Sequence, residues 1–289
     1  MQQHGRIGKE IRQNVQLSCS QYVLDHYQNI PLLASESERK ALAAEDVNIQ
    51  AILCGSPTMQ HSNMSIEALT SFSWYRCKDA KPNFEISNHA VSMAKAFGNK
   101  TYIALSLWCL GETYAILGEF YAAYDHVQEA YQLYNALLPG NRVLQLLCCR
   151  CGISMVNAAR LTFKDHDKLV SLARDVEKEA ATVSDDFIHA RSLMILGSVL
   201  DKSGHRQEAL RHLERAKQMG IGALSSSICF WIAYVHYNEK RLPEALDAAE
   251  EAWKLCEPRN DMVDQAINSF LLGRILFSAN RDTEAWKYL

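Results

Sequence analysis

The sequence predicts an all-α fold, a right-handed superhelical solenoid of antiparallel helix pairs, and two observations lead to this class. The 289-residue chain contains only 13 Gly and 6 Pro, whereas a β-sandwich or barrel needs a turn roughly every 8–12 residues. Small residues recur at fixed separations with a period of about 36 to 45 residues, which is the range of helical repeat arrays. Because 48% of the residues are hydrophobic, such an array has enough apolar surface to form a core.

Each predicted unit is centred on an anchor residue in its first helix. The six anchors are Tyr75, Gly111, Gly152, Gly197, Ala233 and Gly273. Ala123 follows Gly111 at the same separation at which Ala209 follows Gly197. A glycine or alanine at a helix crossing lets two backbones approach closely. The anchors and the alanines therefore predict where the two helices of each pair touch.

The beginning of the chain lacks this pattern. Residues 1–60 are predicted to form a separate helical junction segment ahead of a repeat array over residues 64–289, which holds about six helix pairs, the last of them incomplete. We expect one helix over residues 7–29 and another over residues 35–53, because Pro31 breaks the helical pattern between them.

The best-preserved unit resembles the tetratricopeptide repeat family. The residues that follow the family's Leu…Leu-Gly…Tyr and Gly-x-Phe…Ala…Ala pattern are Leu107, Leu110, Gly111, Tyr114, Gly118, Phe120, Ala123 and Ala130. Residues 193–216 are the next best copy, and the units are longer than the family's period of about 34 residues. The resemblance implies a non-enzymatic module for protein–protein interaction. It does not specify the partner, because repeat folds carry many functions.

A second resemblance lies in the junction segment. Glu45, Asn48, Ile49 and Ala51 match a run found in the helices that join the winged-helix module of STAND-class (NB-ARC/NACHT) signalling ATPases to their C-terminal tetratricopeptide sensor. This implies a sensing scaffold of a STAND-like signalling system. The alternative is a free-standing adaptor or assembly cofactor that binds an apolar peptide or helix. No Gly-x4-Gly-Lys-Ser/Thr run occurs in the sequence, so we expect this chain to bind no ATP.

Composition argues against several classes of partner. The 30 Lys and Arg are balanced by 33 Asp and Glu, without the basic excess of a nucleic-acid-binding domain. Residues 218–238 carry no charged side chain but include Gly220 and Gly222, so a buried helix is favoured over a membrane span. No secretory signal is visible at the N-terminus. We predict a cytoplasmic protein with reduced cysteines.

The candidate catalytic and metal-binding motifs are weak. Cys148, Cys149 and Cys151 lie in one helical run without a second ligand pair at the spacing of a zinc site. The run from Asp165 to Asp167 falls in a predicted connection and is interpreted as a solvated turn. We therefore predict no catalytic residue, no metal and no cofactor.

The resemblance to tetratricopeptide repeats implies that the first helix of each pair lines a concave groove. Positions at fixed offsets from the anchors are rich in aromatic and Met side chains, which favour an apolar or amphipathic peptide or protein partner. The predicted groove residues are Phe72, Arg76, Trp108, Glu112, Met194, Phe230, Tyr234, Tyr237, Phe270, Arg274 and Phe277. The alternative is a tighter superhelix that buries these side chains against one another.

The last unit suggests a second apolar surface. Its second helix is incomplete at Leu289, and solenoids need polar caps to stay soluble. We expect exposed apolar surface around Leu272, Leu276, Trp286 and Leu289. This edge is the predicted site of a possible homodimer.

Overall fold

The computed structural model describes residues 2–27, 36–54, 62–79, 81–137, 141–259 and 262–289. Within these residues the chain is α-helical, with two short 3-10 turns and no strand. It divides into two compact units, Met1–Thr162 and Phe163–Leu289. The all-α solenoid class predicted from the sequence is confirmed.

The first unit contains seven helices within its described residues. They are α1 (Gln2–His26), α2 (Glu36–Cys54), α3 (Asn63–Lys78), α4 (Phe84–Phe97), α5 (Lys100–Ile116), α6 (Phe120–Leu137) and α7 (Arg142–Thr162). Helices α3 and α4 pack as one pair, α5 and α6 as the next, and α7 packs against α6. Helix α1 lies against α2 and α3, so the junction segment packs onto the first pair.

The second unit continues with helices α8 to α14. They are α8 (His166–Thr182), α9 (Asp186–Lys202), α10 (Arg206–Gln218), α11 (Ser225–Asn238), α12 (Leu242–Cys256), α13 (Met262–Ser278) and α14 (Asp282–Ala285). Helices α9 and α10, α11 and α12, and α13 and α14 form antiparallel pairs. Short 3-10 turns precede α11 and follow α12.

The observed helix bounds differ from the predicted ones at the N-terminus, and α7, which carries the anchor Gly152, packs against α6. Helix α1 ends at His26 and α2 begins at Glu36, whereas the sequence predicted helices over residues 7–29 and 35–53. Pro31, the predicted break, lies outside the described residues. The division between residues 1–60 and 64–289 stays a prediction about the repeat pattern.

Local sequence explains where several helices begin. The side chains of Asn83, Asn99 and Asp185 occupy N-cap positions and accept hydrogen bonds from backbone N–H groups of the first turn. The Asp165 carboxylate caps α8 in the same way, accepting from the Lys168 N–H at 3.0 Å. This cap is the structural role of Asp165, which the sequence had placed in a solvated turn.

The anchor glycines lie where paired helices cross. A Cβ atom at Gly197 would lie 2.6 Å from Leu213 Cγ and 3.3 Å from the Ala209 carbonyl oxygen. At Gly111, a Cβ would overlap Val127 in the facing helix α6. Residues larger than glycine would push these helices apart. The predicted packing role of the glycine anchors is confirmed at these positions.

The turns inside four of the pairs share one backbone geometry. Gly118, Gly204, Lys240 and Asn280 occupy the same place after their anchors, and all have positive φ, between 56° and 86°. The N–H of the following residue donates to a carbonyl five residues earlier, as Arg241 does to His236 at 3.0 Å. This is the left-handed helix C-cap that favours glycine. Lys240 and Asn280 fill it with side chains that strain the backbone.

We therefore expect Lys240→Gly to stabilise the chain. A left-handed conformation costs a non-glycine residue about 1–2 kcal/mol, and the greater freedom of glycine in the unfolded chain offsets part of the gain. The expected net gain is about 0.5–1 kcal/mol in urea unfolding followed by circular dichroism. The reciprocal change Gly204→Lys should lose a similar amount. A lower midpoint for Lys240→Gly would show that its side chain contributes more than its backbone strain costs.

The uncharged stretch over residues 218–238 is divided by a turn and the 3-10 helix Gly222–Leu224 before α11 begins. In the part of the chain described by the structure, no helix is both long and apolar enough to cross a membrane.

Candidate partner-binding surface

Three of the predicted groove residues belong to the core. Phe72, Trp108 and Met194 are 0%, 3% and 7% exposed, so their assignment to an open groove is wrong. Trp108 meets the Trp74 ring edge-on, with 5.1 Å between ring centroids, and its Nε1 donates to Ser154 Oγ at 3.0 Å. Side chains from α3 and α7 therefore cover Trp108 from both sides. For these three residues, the alternative prediction, that their side chains are buried, agrees with the structure.

Arg76 makes structural contacts within the first unit. Its guanidinium forms an ion pair with the Asp46 carboxylate of α2, and its Nε donates to the Lys81 carbonyl at 3.1 Å. It also lies over the Phe72 ring, with 5.9 Å between Cζ and the ring centroid. Arg76 thus ties the N-terminal helix α2 to α3. Glu112 is half-buried on α5, and its groove role stays a prediction.

The remaining six predicted residues form one surface on two neighbouring helices. We call it the α11–α13 surface, and its members are Phe230, Tyr234, Tyr237, Phe270, Arg274 and Phe277. The three residues on α11 are half-buried, and the three on α13 are exposed. Helices α11 and α13 are in contact. These six residues therefore lie on two helices that touch one another, and their role in binding stays a prediction.

The aromatic rings of α11 support one another. Phe230 and Tyr234 are stacked, with 6.2 Å between ring centroids. Trp231 packs edge-on against both, at 5.3 Å from Phe230 and 5.7 Å from Tyr234. Trp231 was not predicted, because its place in the repeat lies outside the offsets used to find groove residues. This packing already fixes the orientations of the rings. A partner that binds them would therefore cause little further loss of side-chain entropy.

Arg274 lies between two aromatic rings. Its Cζ is 5.4 Å from the centroid of the Tyr237 ring and 5.6 Å from that of Phe270. The Tyr237 hydroxyl is within hydrogen-bond distance of Ser278 Oγ, at 3.1 Å. This contact fixes the orientation of the Tyr237 ring beside Arg274. Among the described residues, Arg274 makes no ion pair. Its guanidinium donors remain available to a partner while its planar faces are held by cation–π contacts.

A buried polar contact lies beside this surface. Asn238 Nδ2 of α11 donates to Asp201 Oδ2 of α9 at 2.8 Å. Burial raises the pKa of Asp201, and this effect outweighs the hydrogen bond from Asn238 and the charge of Arg206, which lower it. Burial likewise lowers the pKa of His236. The hydrogen bond between Asn238 and Asp201 joins α11 to α9.

The junction segment carries a separate cleft of about 500 Å³ between α1 and α2. Glu45, Asn48 and Ile49 form its α2 wall, opposite Val15 and Tyr22 on α1. Asn48 Nδ2 donates to Glu45 Oε2 at 2.8 Å. Three of the four residues that carry the STAND resemblance therefore share one wall of this cleft, and Ala51 is not among its lining residues.

The cysteines and histidines do not assemble into a metal centre in the described part of the chain, where no group of three or more His, Cys, Asp or Glu side chains could hold an ion. All nine cysteines are thiols, and eight of them are buried. Cys148, Cys149 and Cys151 are at most 3% exposed. These three side chains pack in the core of the first unit.

The predicted apolar edge of the last unit is only partly exposed. Leu272 and Leu276 are 1% and 2% exposed and pack in a cluster with Ala285, so their assignment to an exposed edge is wrong. Trp286 and Leu289 are exposed. Self-association through these two side chains stays a prediction.

Comparison with protein-family models and with curated proteins finds no match. Among solved structures, the chain is similar to the Rap conjugation gene regulator of the plasmid pLS20 in complex with the Phr* peptide, at 12% identity and a TM-score of 0.62, over 96% of this chain and 82% of that one. It is also similar to PlcR of Bacillus thuringiensis in complex with the peptide PapR7 and DNA, at 14% identity and a TM-score of 0.57, over 83% and 85%.

A third similar structure is a STAND protein with a tetratricopeptide repeat sensor from Pyrococcus horikoshii. The identity is 13% and the TM-score 0.55, over 92% of this chain and 45% of that one. Identities this low establish the fold alone. The fold is that of tetratricopeptide-like helical solenoids, in agreement with the resemblance drawn from the repeat pattern.

Proposed function

We propose that this chain is a non-enzymatic protein- or peptide-binding module and that the α11–α13 surface is its recognition site. The observation that carries the proposal is Arg274, which is exposed, lies over the rings of Tyr237 and Phe270, and makes no ion pair with any residue that the structure describes. Tyr, Trp and Arg are the residues most often found at binding hot spots. Exposed aromatic side chains on α13, beside half-buried ones on the adjacent helix α11, are typical of an interaction surface.

The similar structures support this proposal at the level of fold. The pLS20 regulator and PlcR are both described in complexes with peptides. Proteins with a similar fold are therefore known in complex with peptides. The particular peptide or protein that binds this chain has to be found by experiment.

The test is a selection of peptides displayed on phage against the immobilised chain, followed by fluorescence anisotropy with the selected peptides. The double variant Phe270→Ser/Phe277→Ser should weaken binding roughly 30-fold or more, because truncating a single hot-spot side chain costs about 2 kcal/mol. The matched control is Phe97→Ser/Tyr121→Ser, which removes exposed aromatic rings from α4 and α6. Equal affinities for the two double variants would contradict the proposed site.

We further propose that the chain acts as the sensing scaffold of a STAND-like signalling system. Support comes from Glu45, Asn48 and Ile49, which line the α1–α2 cleft, and from the similarity to the Pyrococcus horikoshii protein. On this proposal the cleft contacts a nucleotide-binding module. Affinity capture from native lysate should return a nucleotide-binding ATPase, and Glu45→Arg should release it while leaving peptide binding unchanged.

The alternative is a free-standing adaptor or assembly cofactor. In that case the captured partners would include chaperone or motor proteins and no nucleotide-binding ATPase. The peptide-binding role of the α11–α13 surface is common to both possibilities.

A further inference from the structure

Helix α13 carries a stripe of exposed residues at alternating separations of four and three. They are Val263, Ile267, Phe270, Arg274 and Phe277. The four apolar members are between 48% and 58% exposed. This alternation is the heptad spacing at which two α-helices interlock their side chains. The stripe spans about four helical turns, or roughly 21 Å at 1.5 Å per residue.

From this stripe we infer that the α11–α13 surface binds an amphipathic α-helix that places a carboxylate against Arg274, between apolar residues on either side. The inference rests on the proposed function and specifies the partner of the same site. The occupant is another protein, and its chemistry is a heptad-spaced apolar face with one Asp or Glu in the middle.

A helix fits this surface better than an extended peptide. An extended peptide brings backbone N–H and C=O groups that need partners once they are removed from water. The surface offers few, because the Tyr237 hydroxyl is bonded to Ser278 and Asn238 is bonded to Asp201. A helix satisfies its own backbone except near its ends, so it can cover the stripe with apolar side chains.

The charge of Arg274 requires a negatively charged side chain on the partner helix. A guanidinium covered by an apolar helix would lose water without gaining an ion pair, which is strongly unfavourable. Tyr237 and Phe270 hold its faces, but neither neutralises its charge. An Asp or Glu on the partner would accept two hydrogen bonds from the guanidinium. It would also set the register of the two helices, as a polar residue in an apolar seam does.

A second copy of the chain does not fit this requirement. Asp264 is the only acidic residue on α11 or α13. Its two carboxylate oxygens already accept from Ser226 at 2.7 Å and from Asn268 at 3.3 Å. Two copies joined through this surface would therefore cover both Arg274 side chains without supplying a carboxylate.

The test uses two synthetic helical peptides, stapled on the face away from the seam and labelled with fluorescein. Both carry Leu at the seam positions, and they differ only in the central seam residue, which is Glu in one and Lys in the other. Anisotropy with the full chain should show the Glu peptide binding about tenfold or more tightly than the Lys peptide. Arg274→Glu should reverse this order, and Arg274→Gln should remove the preference.

The control is Arg211→Glu, which makes the same charge change at an exposed position on α10 and should leave the order of the two peptides unchanged. Thermal melts by circular dichroism should show that all variants remain folded, since Arg274 and Arg211 are exposed. A preference for Glu that survives Arg274→Glu would overturn the inference.

The remaining outcomes separate this inference from the proposed function. If neither helical peptide binds, while phage-selected extended peptides bind and depend on Phe270 and Phe277, the inference is wrong and the proposed function stands. If no peptide of either kind binds, both the inference and the proposed function are wrong. If sedimentation shows a dimer that Phe277→Ser dissociates, a second copy occupies the surface and the inference is overturned.

Discussion

Replacing Trp108 with Ala is expected to lower the free energy of unfolding by about 3–5 kcal/mol, the usual loss for a buried aromatic side chain. Trp108 is 3% exposed and contacts Trp74 of α3 and Ser154 of α7. Its removal would leave a cavity between α3, α5 and α7. It would also remove the indole N–H group that donates a hydrogen bond to Ser154 Oγ. Urea unfolding followed by tryptophan fluorescence and circular dichroism measures the change.

The matched control is Trp286→Ala, in which an exposed tryptophan is removed. Trp286 is 72% exposed, and surface substitutions of this kind usually change stability by no more than about 0.5 kcal/mol. A Trp108→Ala variant that unfolds together with Trp286→Ala would place Trp108 outside the core and restore its predicted role in a groove.

Replacing Gly197 with Leu is expected to destabilise the second unit by about 1–3 kcal/mol or more, because it overpacks a helix crossing. A Cβ at this position already lies 2.6 Å from Leu213 Cγ, and Leu213 is fully buried, so it has little room to move. The backbone oxygen of Ala209 closes the other side. Helices α9 and α10 would have to separate to admit the leucine.

The control for this change is Gly222→Leu in the same unit. A Cβ at Gly222 meets no heavy atom within 4 Å, so the added side chain extends into open space. Thermal melts should place Gly222→Leu near the wild-type midpoint and Gly197→Leu clearly below it. Similar midpoints for the two variants would show that the α9–α10 crossing tolerates a larger residue.

The helix crossings at Gly111 and Gly197 were predictable from the sequence alone. Glycine at a crossing and in a left-handed turn has a local physical cause, so its spacing reveals the repeat without knowledge of the tertiary structure. Gly111 and Gly197 lie at crossings, and Gly118 and Gly204 lie in turns with positive φ. Lys240 lies at the same distance after its anchor and has positive φ, although lysine is not favoured there, and only the structure revealed this turn.

The candidate site was predicted only in part, because the position of a residue within the repeat does not determine how exposed its side chain is. Trp108 and Phe270 occupy the same place relative to their anchors, three residues before Gly111 and Gly273. Trp108 is 3% exposed and Phe270 is 56% exposed. The sequence placed both side chains in the groove, and this was wrong for Trp108.

The sequence by itself determined the class of fold, the helix crossings at Gly111 and Gly197, and the place of these residues within the repeat. The tertiary structure decided which of them a partner can reach. That depends on the side chains that neighbouring helices bring: Trp74 and Ser154 cover Trp108, whereas Phe270 meets the guanidinium of Arg274 on its own helix. Exposure is set by contacts between residues far apart in the chain, and a pattern of separations within one repeat carries no information about them.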